Sequence, residues 1–131
     1  MTPLVFIALA LAGGLGAIAR FLLDGAMGRR FQTAFPWATF TINVSGSLAL
    51  GLLTALAAGN LIPREWALIL GTGFLGGYTT FSTNSYETLR LLGEKRYAAS
   101  FANALGTLAA SVGAAALGFW LGTLAGGITA L

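Results

Sequence analysis

Residues 76–83 are the part of the chain whose residue types could bind an ion: two adjacent glycines, then Tyr-Thr-Thr-Phe-Ser-Thr, inside an otherwise apolar segment. Glycine costs a helix about 1 kcal/mol relative to alanine, so the pair predicts a break in the helix. At membrane depth, irregular backbone is tolerated only where it is buried in protein or lines a wet cavity. Its freed carbonyls coordinate cations, and the helix N-terminus that follows attracts anions. The stretch indicates either a broken helix with an ion site or a packing kink whose hydroxyls bond back to the helix.

Amides and hydroxyls in two other apolar segments could take part in the same chemistry. Asn43 lies in mid-segment, where an amide is costly unless it is hydrogen-bonded, so it either donates to a permeating solute or joins two helices. Asn103, Thr107 and Ser111 follow at intervals of four residues, which places them in one stripe along a helix face. The stripe favours a hydrogen-bonding track. The alternative is hydroxyls bonded to carbonyls four residues earlier in their own helix.

Charged residues lie near the ends of the apolar segments rather than at their centres. Arg20, close to the end of the first segment, either extends to the lipid headgroups or raises the anion concentration at a pore mouth. Glu87, just beyond the polar stretch, either bonds a side chain of the last segment or approaches the membrane interface. Without a central carboxylate, a proton-coupled exporter is disfavoured. Hydroxyls, amides and aromatic edges, with cations at the mouths, favour a small anion.

The inventory of reactive side chains predicts that the protein is not an enzyme. The chain has no cysteine and no histidine, which excludes disulfides, thiolate metal sites and the commonest general base. Its four carboxylates are Asp24, Glu65, Glu87 and Glu94. Its seven basic residues lie at segment ends without interleaved aromatics, which favours topology markers over a nucleic-acid surface.

The elements that must position these residues are helices in a membrane. Apolar residues make up 56% of the 131-residue chain and charged residues 8%, against about 25% charged in an ordinary soluble domain. Apolar segments run over about residues 4–23, 38–58, 66–92 and 98–124, and each reaches the roughly 20 residues that a spanning helix needs. The sequence predicts an all-α fold. Residues 1–131 are expected to form a single integral membrane domain, a four-helix bundle with a broken third transmembrane helix.

Basic residues in the connecting loops predict a fixed orientation. With four spans, the loops after the first and third lie on one side of the membrane, and the termini and the middle loop lie on the other. The first side carries five basic residues and the second carries one: Arg29, Arg30, Arg90, Lys95 and Arg96 against Arg64. Because cytoplasmic loops are enriched in Lys and Arg, both termini are expected outside the cytoplasm.

Three motifs together resemble the CrcB/Fluc family of fluoride-specific ion channels. Residues 73–83 (GFLGGYTTFST) are similar to the signature of the family's third span. Residues 13–20 (GGLGAIAR) and 39–46 (TFTINVSG) are similar to its motifs in the first and second spans. The resemblance covers essentially the whole chain, with the same order and spacing.

The resemblance implies one subunit of an antiparallel (inverted) dimer in the cell membrane, which exports fluoride passively through two pores and limits its toxicity. It implies a structural sodium ion (Na+) at the dimer interface, held by backbone carbonyls at Gly76 and Thr79, and a vestibule position for Arg20. The positions that match the family's fluoride pore are Asn43, Phe81, Ser82, Thr83, Asn103, Thr107 and Ser111.

One residue departs from the family's pattern. The family usually has Phe-Ser-Thr-Phe, whereas here Asn84 replaces the second phenylalanine, a degenerate pore position. Homodimeric members insert one sequence in both orientations and need balanced loop charges, which this chain lacks. We therefore hypothesise one half of a fixed-topology heterodimer whose oppositely oriented partner keeps both phenylalanines. The alternatives are a non-conducting accessory subunit and a small multidrug-type proton-coupled exporter, which needs a carboxylate within the first span, where Asp24 lies only at the end.

Overall fold

The structure is a computed structural model that describes residues 2–31, 33 and 35–130, with side chains as far as residue 126. The predicted domain of residues 1–131 therefore includes four positions, 1, 32, 34 and 131, outside that description. All regular structure in the described residues is helical, which confirms the all-α fold. The helices are α1 (Pro3–Arg30), α2 (Trp37–Ala58), α3 (residues 64–78), α4 (Phe81–Gly93) and α5 (residues 97–130).

Three of these helices are long and apolar enough to cross a membrane: Pro3–Arg30, Trp37–Ala58 and Tyr97–Gly126. The remaining apolar segment, residues 66–92, is divided between α3 and α4. Between these helices Thr79 and Thr80 have extended backbone, with ψ of 154° and 114°. These two residues lie within the stretch 76–83 that the sequence singled out, whereas Gly76 and Gly77 themselves form the last turn of α3.

Helix α1 begins at a side-chain cap and continues beyond its apolar segment. The Thr2 hydroxyl accepts a hydrogen bond of 3.2 Å from the Val5 N–H, and Pro3 takes the first helical position, where its missing N–H costs nothing. Arg29 and Arg30 lie in the last turn, where cations interact favourably with the helix dipole. The charged end of α1 therefore extends past the apolar part that a membrane would cover.

Glycines let the helices pack in two close pairs, α1 against α3 and α2 against α5. A Cβ atom at Gly16 of α1 would collide with the Phe74 carbonyl of α3, and one at Gly118 of α5 would collide with the Leu48 carbonyl of α2. Since lipid supplies no hydrophobic force between helices, such backbone approach is the usual source of helix association in membranes. Gly77 contacts α1 in the same way, through the Gly13 carbonyl, which explains why a glycine stands in the last turn of α3.

Two helices contain wide π-helical turns, over Leu68–Leu75 in α3 and Ala102–Gly106 in α5. Such turns are rare and occur frequently at functional sites. The first leads directly to the extended residues Thr79 and Thr80, and the second contains Asn103. The two π-helical turns therefore lie in the third and fourth apolar segments, which contain the polar stretch 76–83 and the stripe of Asn103, Thr107 and Ser111.

Several polar side chains are buried in the bundle together with Ile42, Leu75 and Leu91, while many large apolar side chains lie outside. The buried polar residues among those described are Thr39, Asn43, Asn84, Ser100, Asn103 and Thr107. Phe6, Phe21 and Leu105 are each more than half exposed. An apolar exterior of this kind suits lipid, and polar groups inside it must find partners in the protein or in water.

Candidate functional site

The extended residues between α3 and α4 are held by the side-chain amide of Asn43 on α2. Its Nδ2 donates to the Thr80 carbonyl and its Oδ1 accepts from the Thr80 N–H, each at 2.8 Å. In a continuous helix the Thr80 N–H would bond the carbonyl four residues earlier, that of Gly76. By taking this N–H, Asn43 ends α3 and leaves the Gly76 carbonyl available to another partner.

Thr80 also begins α4 as its N-cap. The Thr83 N–H donates to the Thr80 hydroxyl oxygen at 3.3 Å, and the Thr80 O–H donates to Thr83 Oγ1 at 3.1 Å. Ser82 lies 3.4 Å from the same hydroxyl. A Ser or Thr at the N-cap satisfies one of the free N–H groups at a helix start, so the first turn of α4 is fixed. This turn presents Phe81 outward, with 75% of its surface exposed.

Arg20 of α1 binds the C-terminal end of α3, directly before the extended residues Thr79 and Thr80. Its Nε donates to the Gly77 carbonyl at 3.3 Å, at the C-terminal end of α3, where the helix dipole is negative. Neither of the two sequence-based alternatives for Arg20 includes this contact. The guanidinium therefore supports the end of α3 in addition to any effect that its charge has on an anion.

An open cavity of about 440 Å³ is bordered by α2, α3, the start of α4 and α5. Seven residues that the sequence singled out line it: Asn43, Gly76, Thr79, Phe81, Asn84, Thr107 and Ser111. Ser111 Oγ is buried and has no hydrogen-bond partner within the described part of the chain. Because a buried hydroxyl without a partner is costly, its position favours a polar group in the cavity.

Four predicted site residues lie away from this cavity: Arg20, Ser82, Thr83 and Asn103. Asn103 is completely buried and bonds Asn84 and Thr88 of α4. The Thr107 hydroxyl donates to Asn103 Oδ1 at 3.5 Å, so it bonds a side chain one turn back rather than a carbonyl. Of the predicted stripe, Asn103 and Thr107 therefore pair with other side chains, and Ser111 keeps an unpaired hydroxyl.

A family model described as "CrcB-like protein, Camphor Resistance (CrcB)" matches residues 7–119. The chain belongs to the CrcB family. This match includes every candidate residue named above, from Arg20 to Ser111.

CrcB relatives that are named as fluoride channels align along nearly the whole chain. A protein of Leifsonia xyli subsp. xyli named "Fluoride-specific ion channel FluC 1" is 56% identical over 125 residues, which cover 95% of this chain and 91% of the relative. A protein of the same name from Streptomyces avermitilis is 48% identical over 115 residues, 86% of this chain and 91% of the relative. "Fluoride-specific ion channel FluC 2" of Mycobacterium tuberculosis is 40% identical over 121 residues, 92% of this chain and 93% of the relative.

Sequence reasoning missed several polar residues of this CrcB protein. Thr80 lies in the stretch 76–83 but was given no role of its own, and it bonds both Asn43 through its backbone and the start of α4 through its hydroxyl. The preference for Thr at an N-cap was the available signal. Ser47 and Thr72 line the cavity, although their helices offered no pattern that distinguishes them from packing residues.

Glu87, which the sequence predicted to bond the last segment or to approach the membrane interface, lies beside α2. The neighbouring hydroxyl is that of Thr39 on α2, not a side chain of α5. Its Oε1 is buried without a hydrogen-bond partner in the described residues. The half-buried Glu87 side chain therefore lies between α4 and the start of α2.

Proposed function

We propose that this CrcB protein is a subunit of a fluoride-specific ion channel in the cell membrane, which exports fluoride passively and so limits its toxicity. The observation that carries this proposal is the 56% identity, over 95% of the chain, to a protein named for that function. Four of the positions that match the family's pore also line one cavity: Asn43, Phe81, Thr107 and Ser111.

The donors around the cavity suit a small, strongly hydrated anion. Fluoride that leaves water needs hydrogen-bond donors in its place, because an unpaired charge in a low-dielectric medium is prohibitively costly. Asn43 and Ser111 supply an amide and an unpaired hydroxyl. The exposed Phe81 supplies an aromatic ring, whose positive edge contacts an anion weakly enough to let it leave. The proposed residues of the fluoride pathway remain Asn43, Phe81, Ser82, Thr83, Asn103, Thr107 and Ser111, with Arg20 in the vestibule.

A second subunit of this family, in the opposite orientation, is proposed to cover the cavity. In this arrangement α3 and α4 together form the third membrane span as a broken helix. Supporting this, the cavity wall includes the polar residues Asn43, Thr79 and Ser111, and polar groups are costly to expose to lipid at membrane depth. The exposed ring of Phe81 would then enter the partner's cavity, and membrane lipid would contact the apolar exterior of both subunits.

A sodium ion between the two subunits fits the oxygen atoms at the interruption. Gly76 and Thr79 both line the cavity, and the Thr80 N–H bonds Asn43 instead of the Gly76 carbonyl. Carbonyl oxygens suit a hard cation, and two from each subunit would give a four-oxygen site. The ion would link the two subunits at the point where their helices are interrupted.

The partner is proposed to be a different family member of fixed orientation, with both termini of this chain outside the cytoplasm. Five basic residues on one predicted side against one on the other support a single orientation for this sequence. An antiparallel dimer then needs a second sequence with the opposite bias.

The test purifies the chain in two forms and measures fluoride efflux from proteoliposomes with a fluoride electrode. A tagged chain from its native host carries any second subunit with it, whereas a chain from a foreign host is alone. We expect rapid efflux from the first form and little from the second. Absence of efflux from the native form contradicts the channel function, and robust efflux from the chain alone contradicts the heterodimer.

A further inference from the structure

Three hydroxyls on three different helices line the same cavity without a hydrogen-bond partner in the described part of the chain. They belong to Ser47 of α2, Thr72 of α3 and Ser111 of α5. Ser111 Oγ is buried and unpaired, and the structure gives the hydroxyls of Ser47 and Thr72 no partner among the described residues either. We call these three residues the hydroxyl cluster.

Several other helical hydroxyls of this chain are satisfied by their own helix. Thr54, Thr88 and Thr123 each donate to the carbonyl four residues earlier, at 2.8 to 2.9 Å. This back-bonding is a common way for Ser or Thr within a helix to satisfy its hydroxyl where water is scarce. The hydroxyl cluster makes no such bond, so its three O–H groups stay available to a ligand in the cavity.

The hydroxyls of Ser47 and Thr72 lie where α2 and α3 come into contact. Leu50 Cδ1 of α2 lies 3.4 Å from the position that a Cβ at Gly71 of α3 would take. Ser47 lies three residues before Leu50, which places both on one side of α2, and Thr72 directly follows Gly71. All four residues line the cavity, so the two hydroxyls share one stretch of it.

Ser111 lies at a similar depth on α5. The helices α2 and α5 run in the same direction, as their successive contacts show: Gly51 with Ala115, and Ala55 with Gly122. Ser47 and Ser111 each lie four residues before the first of these contacts on their own helix, which is about one turn. The three hydroxyls of the cluster therefore lie in the same part of the cavity.

A cluster of three O–H donors suits a small anion. Fluoride that leaves water needs hydrogen-bond donors in its place, and none of the described residues that line the cavity is acidic. Neutral hydroxyls hold an anion less tightly than a cationic side chain does, and conduction requires that the ion can leave again. Thr72 also lies in the π-helical turn Leu68–Leu75, and such turns occur frequently at functional sites.

We propose that Ser47, Thr72 and Ser111 together form a fluoride-binding site, with their three hydroxyls as donors. This inference rests on the proposed fluoride channel function and adds two donors, Ser47 and Thr72, to the pathway. Asn43 lies one turn before Ser47 on α2 and lines the same cavity. Fluoride therefore passes between the Asn43 amide and the hydroxyl cluster within one cavity.

The test uses Ser47→Ala and Thr72→Val in the channel purified by a tag on this chain from its native host. Each change removes one hydroxyl with little change in volume, and so takes away one hydrogen bond to a charged ion. The fluoride concentration that half-saturates efflux from proteoliposomes should therefore rise about tenfold in each variant. Thr72→Ser keeps the hydroxyl and should stay within about twofold of the wild type.

Thr54→Val is the matched control on α2. The Thr54 hydroxyl donates to the Leu50 carbonyl of its own helix at 2.8 Å, so its loss should leave the half-saturating fluoride concentration unchanged. Size-exclusion chromatography of each variant shows whether the channel is still folded and assembled.

The half-saturating concentration separates a fluoride site from a structural role. A wild-type value in both Ser47→Ala and Thr72→Val overturns the site and leaves the channel function standing. Loss of assembly in both variants also overturns it, because the hydroxyls then bond protein groups. A rise in the sodium concentration that efflux needs, in place of the fluoride concentration, shows that the cluster binds a cation and overturns it as well. Absence of efflux from the wild type overturns both the channel function and the site.

Discussion

At the scale of single residues, Asn43 determines where the third apolar segment is interrupted. Its amide takes both backbone hydrogen-bonding groups of Thr80, so the helix cannot continue through that residue. The adjacent glycines, which are more conspicuous in the sequence, remain helical. An amide on α2 therefore specifies a backbone feature in a different helix, and it keeps the oxygen atoms of Gly76 and Thr79 beside the cavity.

Replacing Asn43 with alanine should destabilise this arrangement and stop fluoride efflux. Loss of the two 2.8 Å bonds leaves the Thr80 backbone unsatisfied, which we expect to lower the free energy of unfolding by about 1–3 kcal/mol. Ser45→Ala is the control, since it removes the exposed 3.0 Å bond from Ser45 to the Tyr78 hydroxyl of α3 and a 3.2 Å bond to the Ile42 carbonyl in its own helix, and leaves the Thr80 backbone bonded. Thermal inactivation in detergent and fluoride efflux measure both effects. If Asn43→Ala keeps the wild-type thermal stability and fluoride efflux, the two hydrogen bonds between Asn43 and Thr80 are not needed for either property.

At the scale of elements, the bundle depends on glycines where helix backbones cross. Gly16 meets the Phe74 carbonyl, and Gly77 meets the Gly13 carbonyl, so α1 and α3 approach without side chains between them. The end of α3 is held in the same place by the Arg20 bond to Gly77. The packing of α1 therefore fixes one side of the interruption, and Asn43 of α2 fixes the other.

A methyl group at Gly16 should separate α1 from α3, whereas one at Gly14 should not. The Gly16→Ala Cβ would collide with the Phe74 carbonyl, while nothing lies within 4 Å of a Cβ at Gly14. We expect Gly16→Ala to lower stability by about 1–3 kcal/mol through overpacking. Gly14→Ala should be neutral or slightly stabilising, because alanine favours the helix. To compare the two variants, each is heated in detergent, and the fraction that still elutes as folded protein in size-exclusion chromatography is measured. Equal losses for the two variants would contradict the packing argument.

The sequence was sufficient to predict membrane helices and the polar residues within them. It was not sufficient to predict which groups those polar residues hydrogen-bond. Composition and the run of apolar segments indicated membrane helices, and three helices have the necessary length and composition. The polar stripe was visible, but the pairing of Asn103 with Asn84 depends on a contact between residues 19 positions apart. The choice between solute and helix partner for Asn43 likewise depended on Thr80, 37 residues away. Periodicity reports which face a residue occupies and carries no information on which group it meets there.

At the scale of the whole molecule, the charge bias predicts one orientation for every copy of this chain. Wild type has no cysteine, so single cysteines report the side of the membrane without background. Gly93→Cys lies at the C-terminal end of α4 with open space around its Cβ, and Leu61→Cys lies in the loop after α2, at a position that is 37% exposed. An impermeant maleimide added to intact cells should label position 61 and not position 93. Equal labelling at both positions would indicate dual orientation and contradict the fixed heterodimer.

The most direct test of passive fluoride conduction is whether fluoride release depends on the movement of a compensating cation. Proteoliposomes containing the dimer from its native host are loaded with potassium fluoride, and external fluoride is followed with an electrode. We predict slow release until valinomycin lets potassium leave, and rapid release afterwards, with no requirement for a proton gradient or a protonophore. Fluoride that stays inside after valinomycin, or that leaves only in exchange for protons, would contradict the account.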